Sequence, residues 1–299
     1  MNQRPPEGGA HGHSEDPRRV LARYNLRAKK SWGQNFLVAR GVLGRIVAAA
    51  AAGVDDVVVE IGAGLGTLTG ALAAPDGPAA APRRLIAVER DPDMLSVLRG
   101  ELAAFRNVTI AAADAATFDL AAAARDAGRP LIVVGNLPYQ ISSALVLKLA
   151  AVGPAAVARA VVMVQREMAQ RVVAAPGSKV YGRLSVGVQQ RAAVRALFQV
   201  PPGAFHPPPQ VTSAVIELIP RATPLAPVRD QALFDEVVKE AFGTRRKMLR
   251  RALASAFGGE VVESALQSAG IDGTLRAEAL TIAELGRLAD GVAAAREAR

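Results

Sequence analysis

The sequence predicts an α/β protein: a seven-stranded, mostly parallel sheet whose last strand is antiparallel, followed by a small all-helical C-terminal domain. From Val57 onward, short and nearly continuous apolar segments alternate with helical patterns, as expected for parallel strands that helices cover on both faces. The segment before the last strand is too rich in proline for a crossover helix. After Pro220 the chain contains helical patterns only.

Seven apolar segments are predicted strands because each is short and bounded by turn residues or helical patterns. They cover residues 57–61, 85–89, 108–110, 131–134, 160–164, 196–200 and 213–219. Helical patterns lie between the first five, for example over 94–104 and 143–150. Residues 201–209 join the last two strands without a helix, so we expect the final strand to run antiparallel to its neighbour.

The composition divides the chain into three parts. Residues 1–19 are polar, contain Gly and Pro and lack periodicity, which predicts a disordered tail. We expect residues 20–222 to form the main domain, with every predicted strand, and residues 225–299 to form a helical domain. Its predicted helices cover 232–242, 245–257, 261–269 and the residues from 282 on. Thr281 and Glu284 have the spacing of a capping box at the start of the last helix.

The charge of the chain indicates a polyanionic partner. Lys and Arg outnumber Asp and Glu by 36 to 27, which gives a formal net charge of +9. An enzyme this basic typically binds nucleic acid. The sequence contains no cysteine, which excludes disulfides and thiolate chemistry. Because His11 and His13 lie in the predicted tail and only His206 remains, we expect neither a metal site nor a Ser-His-Asp triad.

Hydropathy predicts no membrane segment. The first 17 residues lack the apolar stretch of a signal peptide. No run of about 18 uncharged apolar residues, the length that a membrane-spanning helix needs, follows in the chain. We therefore expect a soluble, cytoplasmic protein, which we also predict to be monomeric.

A glycine-rich loop and two acidic residues follow the first three predicted strands. Gly62, Gly64 and Gly66 have the spacing G-x-G-x-G, which differs from the G-x-G-x-x-G of dinucleotide-binding folds. Glu89 ends the second strand, where a carboxylate can accept hydrogen bonds from ribose hydroxyls. Asp114 follows the third strand, where it can accept from an adenine amine. Because ligands of open α/β sheets bind beyond the carboxyl ends of the strands, these residues predict a nucleoside-containing ligand there.

Residues 136–139 (NLPY) follow the fourth predicted strand and suit methylation of an adenine amine. The N6 amine is a weak nucleophile because its lone pair is delocalised into the ring, so acceptors that hold its two N–H bonds can turn the lone pair toward a methyl donor. The Asn136 side-chain oxygen is one acceptor, and a backbone carbonyl of Leu137 or Pro138 is another. Tyr139 offers a ring on which the base can stack. Correct positioning of the amine then provides most of the rate enhancement.

These motifs, in this order, resemble the ribosomal RNA adenine dimethyltransferases, and the resemblance covers most of the chain. The matching segments are 29–37 (KKSWGQNFL), 60–66 (EIGAGLG), 89–91 (ERD), Asp114, 135–143 (GNLPYQISS), 164–171 (VQREMAQR), 205–213 (FHPPPQVTS) and 276–280 (RAEAL). Gln140, Ser143 and Gln210 depart from the family pattern, where Asn, Thr and Lys are common. We expect these departures to leave the chemistry in place.

The resemblance implies a Rossmann-like S-adenosylmethionine methyltransferase fold, with S-adenosylmethionine as the cofactor. The cofactor-binding residues that it implies are Asn35, Leu37, Gly62, Glu89, Asp114 and Asn136. Asn35 and Leu37 are implied to close over the cofactor. The catalytic residues that it implies are Asn136, Leu137, Pro138, Tyr139 and Phe205. Among these, Phe205 is implied to stack on the target adenine opposite Tyr139.

The branch of this family that modifies the small ribosomal subunit is the most similar. It implies dimethylation of N6 on two adjacent adenosines in the 3′-terminal hairpin loop of 16S rRNA, with a role in small-subunit biogenesis. Leu137 and the segments 33–37 and 276–280 favour this branch over the large-subunit (23S) methyltransferases of the macrolide-resistance type, which stay open as an alternative. A non-catalytic rRNA-binding assembly factor is a second alternative. The glycine spacing disfavours a third, an NAD-dependent oxidoreductase.

Five basic residues in one predicted helix are the expected RNA-binding residues. They are Arg245, Arg246, Lys247, Arg250 and Arg251. At helical spacing, Arg246 shares a face with Arg250, and Lys247 shares a face with Arg251. These residues therefore form a basic stripe that can follow the phosphates of an RNA backbone. A second candidate patch near the cofactor entrance contains Arg23, Arg27, Lys29 and Lys30.

Overall fold

The computed structural model describes residues 15–29, 32–75, 79–244 and 247–298, and its contacts group the chain into two compact units. The first unit contains the residues up to Ala169 and Arg195–Pro220, and the second contains Gln170–Val194 and Arg221–Arg299. Residues 170–194 therefore fall outside the main domain that the sequence predicted for them. They join the second unit because Tyr181 and Val186 are buried in one apolar core with the C-terminal helices.

The first unit contains a large sheet and a two-stranded sheet. Its strands are β1 (Phe36–Leu37), β2 (Val57–Ile61), β3 (Arg84–Glu89), β4 (Val108–Ala112), β5 (Leu131–Asn136), β6 (Val157–Gln165), β7 (Ala192–Val200), β8 (Phe205–His206) and β9 (Ser213–Pro220). Its helices are α1 (Pro17–Arg23), α2 (Arg40–Ala50), α3 (Thr67–Ala73), α4 (Pro92–Glu101), α5 (Leu120–Ala127), α6 (Ser142–Ala151) and α7 (Arg166–Val172). The sequence ranges of the two units meet within α7 and within β7.

The large sheet has the strand order β4-β3-β2-β5-β6-β9-β7. The pairs from β4 to β6 are parallel, and β9 pairs antiparallel with β6. The predicted seven-stranded, mostly parallel sheet with an antiparallel last strand is therefore confirmed. Because the strand order reverses beside β2, the carboxyl ends of β2, β3 and β5 lie together at the edge where α/β proteins bind ligands.

Close packing between strands explains why residue 135 is a glycine. A Cβ on Gly135 of β5 would lie 2.4 Å from the carbonyl oxygen of Ile61 on β2. Such a contact is far below van der Waals distance, so only glycine allows the two strands to approach here. The apolar residues around it, such as Val59 and Val134, are fully buried.

The tail predicted over residues 1–19 is wrong for its last residues. Pro17 begins α1, and the Asp16 carboxylate accepts a hydrogen bond from the Arg18 N–H at 2.9 Å. Val20 and Leu21 bury the apolar face of this helix. A side-chain cap followed by proline in the first turn favours a helix start, which explains the difference. Residues 1–14 lie outside the described residues.

The second unit is helical, as predicted. Its helices are α8 (Arg183–Gln189), α9 (Gln231–Gly243), α10 (Leu249–Phe257), α11 (Gly259–Ala269) and α12 (Ile282–Glu297). The predicted capping box of α12 is confirmed, since the Thr281 hydroxyl accepts from the Glu284 N–H and the Glu284 carboxylate accepts from the Thr281 N–H. Within the described ranges, no helix has the length and apolar composition that crossing a bilayer requires.

The helix predicted over 245–257 is wrong at its start. α10 begins at Leu249, because its first N–H groups bond outside the helix: those of Leu249 and Arg250 donate to the carbonyl oxygens of Leu275 and Gly273. Lys247 therefore precedes the helix and does not share a helical face with the basic residues of α10. Arg250 and Arg251 lie in α10, whereas Arg245 and Arg246 lie outside the described residues.

Candidate active site

A cleft in the first unit opens at the carboxyl ends of β2, β3 and β5. The residues that line it include Asn35, Leu37, Gly62, Glu89, Asp114, Asn136, Leu137, Pro138 and Tyr139. All the residues predicted to bind the cofactor thus lie in one cleft. Four of the five predicted catalytic residues line it as well, and Phe205 does not.

The backbone of the glycine-rich loop is held against β3. The N–H groups of Gly62 and Ala63 donate to the carbonyl oxygen of Val88 at 2.9 and 3.1 Å. Gly62 has a φ of 74°, and a Cβ there would lie 3.5 Å from the carbonyl oxygen of Asn136. Because residues with side chains rarely adopt this φ, glycine allows the loop to turn close to the end of β5. Backbone atoms of the glycine-rich loop therefore form the surface of the cleft at this point.

Glu89 lies at the end of β3 with a carboxylate that the backbone holds in place. One oxygen accepts from the N–H groups of Arg90 and Asp91, both at 2.8 Å, and the other accepts from the Gly64 N–H at 2.9 Å. These bonds use three of about four lone-pair sites of the carboxylate, which leaves capacity for a ligand hydroxyl.

Asp114 follows β4 and is held from two sides. Its carboxylate accepts from the Ala116 N–H at 2.8 Å and from Arg90 Nη1 at 2.7 Å. The hydrogen bond from Ala116 makes the larger contribution and the bond from Arg90 the next in lowering the pKa of Asp114 below its ordinary value, so the group is ionised at neutral pH. Lys148 on α6 fixes the loop that follows, because its Nζ donates to the carbonyl oxygens of Ala116 and Phe118 at 2.9 and 2.7 Å.

Asn136 ends β5 with its side-chain amide in the cleft. Its Nδ2 donates to the carbonyl oxygen of Asn35 at 3.1 Å. Its Oδ1 is buried, and no described residue donates a hydrogen bond to it. A buried acceptor without a partner is unfavourable by about 1–3 kcal/mol. This oxygen is therefore available to a donor that a ligand brings into the cleft.

Two serines hold Tyr139 beside Asn136. The phenol oxygen shares a hydrogen bond with Ser213 Oγ at 3.1 Å, and Ser142 Oγ donates to the Tyr139 carbonyl oxygen at 3.0 Å. Leu137 is buried, and its N–H donates to the carbonyl oxygen of Met163 at 3.0 Å. The backbone of the NLPY segment and the tip of the tyrosine ring are thus both fixed.

Phe205 is not placed as the sequence analysis expected. It is 2% exposed and belongs to an apolar core with Leu37, Leu43 and Val215. Its backbone pairs with Leu37 in the two-stranded sheet of β1 and β8. Because the ring is buried among apolar neighbours and does not line the cleft, it is not in a position to stack on a base opposite Tyr139 in this structure.

Two of the four residues in the candidate basic patch near the cleft are paired with carboxylates. Arg23 and Lys29 each form ion pairs with two carboxylates. Side chains paired in this way offer less positive charge to phosphates than the sequence suggested. Arg27 is exposed, and Lys30 lies outside the described residues.

Glu60 also lines the cleft, and it is a buried carboxylic acid. It is 2% exposed, and its Oε2 accepts a hydrogen bond from the Thr69 hydroxyl at 2.5 Å. Burial raises the pKa of Glu60 to about 8, the bond from Thr69 lowers it, and the charge of Glu89 raises it. The carboxyl group therefore keeps its proton at neutral pH.

We expect Glu60→Gln to stabilise the protein at alkaline pH. The unfolded chain releases this proton near pH 4.5 and the folded protein near pH 8, so the free energy of unfolding decreases between these values, by a few kcal/mol in total. The variant lacks this titration. Thermal unfolding of both proteins should show that the variant gains Tm relative to the wild type as the pH rises through this window. A Tm difference that stays constant would contradict the raised pKa.

Sequence reasoning missed four residues that support the site: Gln34, Asp91, Lys148 and Ser213. Asp91 directly precedes Pro92, a signal that could have identified it as an N-cap, and it accepts from the Asp93 N–H at 3.0 Å. For Lys148 and Ser213 the sequence carries no such signal, because their partners lie 30 and 74 residues away. Among the described residues, no cluster of His, Asp or Glu is placed to hold a metal ion.

Comparison with known sequences shows close relatives over nearly the whole chain. Residues 25–293 match the family model for ribosomal RNA adenine dimethylase. A protein of Anaeromyxobacter sp. (strain K), named ribosomal RNA small subunit methyltransferase A, is 46% identical over 286 residues, which cover 92% of this chain and 97% of that protein. A protein of the same name from Mesorhizobium japonicum is 42% identical over 281 residues, with the same coverage of both chains.

Solved structures share the fold. The 23S rRNA methyltransferase ErmE is 26% identical with a TM-score of 0.64, and the match covers 87% of this chain and 100% of that one. A dimethyladenosine transferase from Plasmodium falciparum is 24% identical with a TM-score of 0.69, and covers 85% of this chain and 95% of its own. The expected Rossmann-like methyltransferase fold is therefore confirmed. Together with the family model, the two bacterial relatives show that the protein belongs to the ribosomal RNA adenine dimethylase family.

Proposed function

We propose that the protein transfers methyl groups from S-adenosylmethionine to N6 of two adjacent adenosines in the 3′-terminal hairpin loop of 16S rRNA, and acts in small-subunit biogenesis. The observation that carries the proposal is the Asn136 amide, whose buried oxygen lacks a partner among the described residues beside a firmly held Tyr139. Family membership supports the reaction class. The names of the two bacterial relatives support the small subunit as substrate.

The cleft residues fit S-adenosylmethionine as the cofactor. In this proposal Glu89 accepts hydrogen bonds from the ribose hydroxyls, Asp114 accepts from the adenine amine, and Gly62 lets the cofactor approach the backbone closely; all three residues line the cleft. When bound, this cofactor would supply the methyl group from its sulfonium centre. Asn35 and Leu37 contribute the wall of the cleft that comes from the N-terminal segment.

Asn136 and Tyr139 orient the target adenine in this proposal. Asn136 Oδ1 accepts one N–H of the amine and a carbonyl of Leu137 or Pro138 accepts the other, which turns the lone pair of N6 out of conjugation. Stacking on the Tyr139 ring contributes about 1–3 kcal/mol, which offsets part of the free energy of unstacking the base. The adenine N6 would gain the methyl group and lose one proton, which water would accept.

Basic residues of the second unit bind rRNA phosphates in this proposal. Lys247 and Arg251 are exposed, and Arg250 is exposed with its Nη1 3.7 Å from a Glu263 carboxylate oxygen. Arg245 and Arg246 are the other proposed members of this group. Because each phosphate contact releases counterions, RNA affinity falls with rising salt concentration.

Transfer of labelled methyl from S-adenosylmethionine to ribosomal subunits tests the proposal. Small subunits from a strain that lacks the gene should accept label as N6,N6-dimethyladenosine in 16S rRNA, and large subunits assayed in parallel should not. The Asn136→Ala variant is the matched control for label that other enzymes in the preparation transfer. Fragment mapping of the labelled rRNA should place the label in the 3′-terminal hairpin.

Two other outcomes would reject the proposal in favour of specific alternatives. Label in the large subunit would assign the protein to 23S methylation, an alternative that the similarity to ErmE over that whole chain favours. If the protein bound small subunits but transferred no label to them or to any of their assembly intermediates, it would be a non-catalytic assembly factor. The biogenesis role is tested separately by the accumulation of immature small subunits in the deletion strain.

A further inference from the structure

We propose that Gln34 is a positioning residue that sets the orientation of the Asn136 amide. By fixing the segment 33–37 to Asp91, it holds the Asn35 carbonyl oxygen against Asn136 Nδ2, so that Asn136 Oδ1 is the atom left to accept from the substrate. This inference rests on the proposed function, since it assigns that oxygen to the N6 amine.

Lys29, Gln34 and Asp91 form a hydrogen-bonded cluster that we call the anchor. Gln34 uses both ends of its amide: Oε1 accepts from the Lys29 N–H at 2.9 Å, and Nε2 donates to Asp91 Oδ2 at 2.7 Å. The other Asp91 oxygen accepts from Lys29 Nζ at 2.7 Å. Asp91 is fully buried, and bonds to a buried carboxylate are stronger than bonds in water. The anchor therefore fixes Gln34 to the end of β3.

The anchor controls the next residue along the chain. Asn35 follows Gln34 directly, and its side chain donates to the Gly33 carbonyl oxygen at 2.9 Å, which stiffens this turn. Regular pairing in the two-stranded sheet begins only at Phe36, opposite His206. The position of the Asn35 carbonyl oxygen thus depends on Gln34 from one side and on β1 from the other, since neighbouring Cα atoms are held about 3.8 Å apart.

The Asn35 carbonyl oxygen decides which end of the Asn136 amide is free. As an acceptor, it selects Nδ2 as its partner, and Oδ1 is then left for the cleft. If the amide turned by about 180°, it would present an NH₂ group to the NH₂ group of adenine, and neither could accept the other's hydrogen bond. Without the carbonyl oxygen, nothing in this contact favours the productive orientation.

The test compares Gln34→Glu with the double variant Gln34→Glu, Asp91→Asn. The single variant sets two carboxylates where a 2.7 Å hydrogen bond lies, so the anchor should open. The double variant restores a donor opposite the new carboxylate and leaves the net charge of the three anchor residues as in the wild type. Thermal unfolding of both variants controls for loss of the fold.

Two readouts do not depend on activity. Trp32 is the only tryptophan of the chain and lies between Lys29 and Gln34 in the sequence, with the Arg90 and Lys29 cations 4.9 and 5.3 Å from the centre of its ring. Opening of the anchor should therefore change its emission and its quenching by acrylamide. In protein labelled with ¹⁵N-asparagine, the side-chain resonance of Asn136, assigned by its loss in Asn136→Ala, should shift in the single variant and return in the double variant.

The third readout is turnover at saturating cofactor and RNA. The single variant should lose about 10- to 100-fold in kcat, as expected for a small misplacement of a reacting group, with KM for RNA little changed, and the double variant should recover most of kcat. An Asn136 resonance that does not move when Trp32 fluorescence changes would overturn the inference. So would an unchanged kcat, or a loss that the double variant fails to restore. If the wild type itself transfers no methyl, the proposed function fails, and the resonance and fluorescence still decide the role of Gln34.

Discussion

Replacement of Asn136 by alanine should reduce methyl transfer by about 10²- to 10³-fold, the loss expected when one preorganised polar group is removed from a reacting centre. The variant lacks the buried side-chain oxygen that has no hydrogen-bond partner among the described residues. The N6 amine would then keep its lone pair in conjugation and would not be aimed at the methyl group. Single-turnover transfer at saturating S-adenosylmethionine measures the loss without a contribution from cofactor affinity.

Asn107→Ala is a matched control for this experiment. Asn107 also donates from Nδ2 to a backbone carbonyl oxygen, that of Pro82 at 3.1 Å, but it does not line the cleft. Its replacement should leave transfer unchanged. Asn136→Asp should be nearly as inactive as Asn136→Ala, because it loses the donor to Asn35 and places a negative charge against that carbonyl oxygen. Transfer within about threefold of wild type in Asn136→Ala would exclude this residue from catalysis.

Replacement of Phe205 by alanine should lower the free energy of unfolding by about 3–5 kcal/mol, as removal of a buried aromatic ring does. The ring is 2% exposed in the core that surrounds β1 and β8, so its loss leaves a cavity. Phe205→Leu keeps most of the apolar volume and should lose less than about 1.5 kcal/mol. Denaturant unfolding of the three proteins measures both differences, with unchanged m-values as the control for two-state behaviour.

The same variants separate the two roles assigned to Phe205. If the role of Phe205 is the packing seen here, the Phe205→Leu protein should retain most of its turnover at a temperature where it is folded. Tyr139→Ala, which removes the ring proposed to stack on the base, should lower turnover more than it lowers cofactor affinity. A large loss of turnover in a stable Phe205→Leu protein would instead mean that the ring reaches the target base when RNA binds. Stability and turnover together therefore decide between core packing and base stacking.

The elements that periodicity predicts best are those whose environment is uniform along the segment. β2 is apolar at nearly every position and fully buried, so its bounds in the structure equal the predicted ones. The start of α10 was missed because it depends on N–H groups that bond to residues 273 and 275, a choice that helical spacing does not contain. The placement of residues 170–194 in the second unit has a similar reason: their core partners lie far away in sequence.

The sequence alone was enough to predict the seven strands of the large sheet, the glycine-rich loop, the acidic residues after β3 and β4, and the NLPY segment, because each is a local pattern of residue types. Tertiary structure alone decided that Asn35 meets Asn136, 101 residues away, and leaves its Oδ1 unpartnered among the described residues. It also decided that the Phe205 ring is buried in the core. These facts depend on strand order and pairing register, which bring distant segments together and which no local pattern encodes.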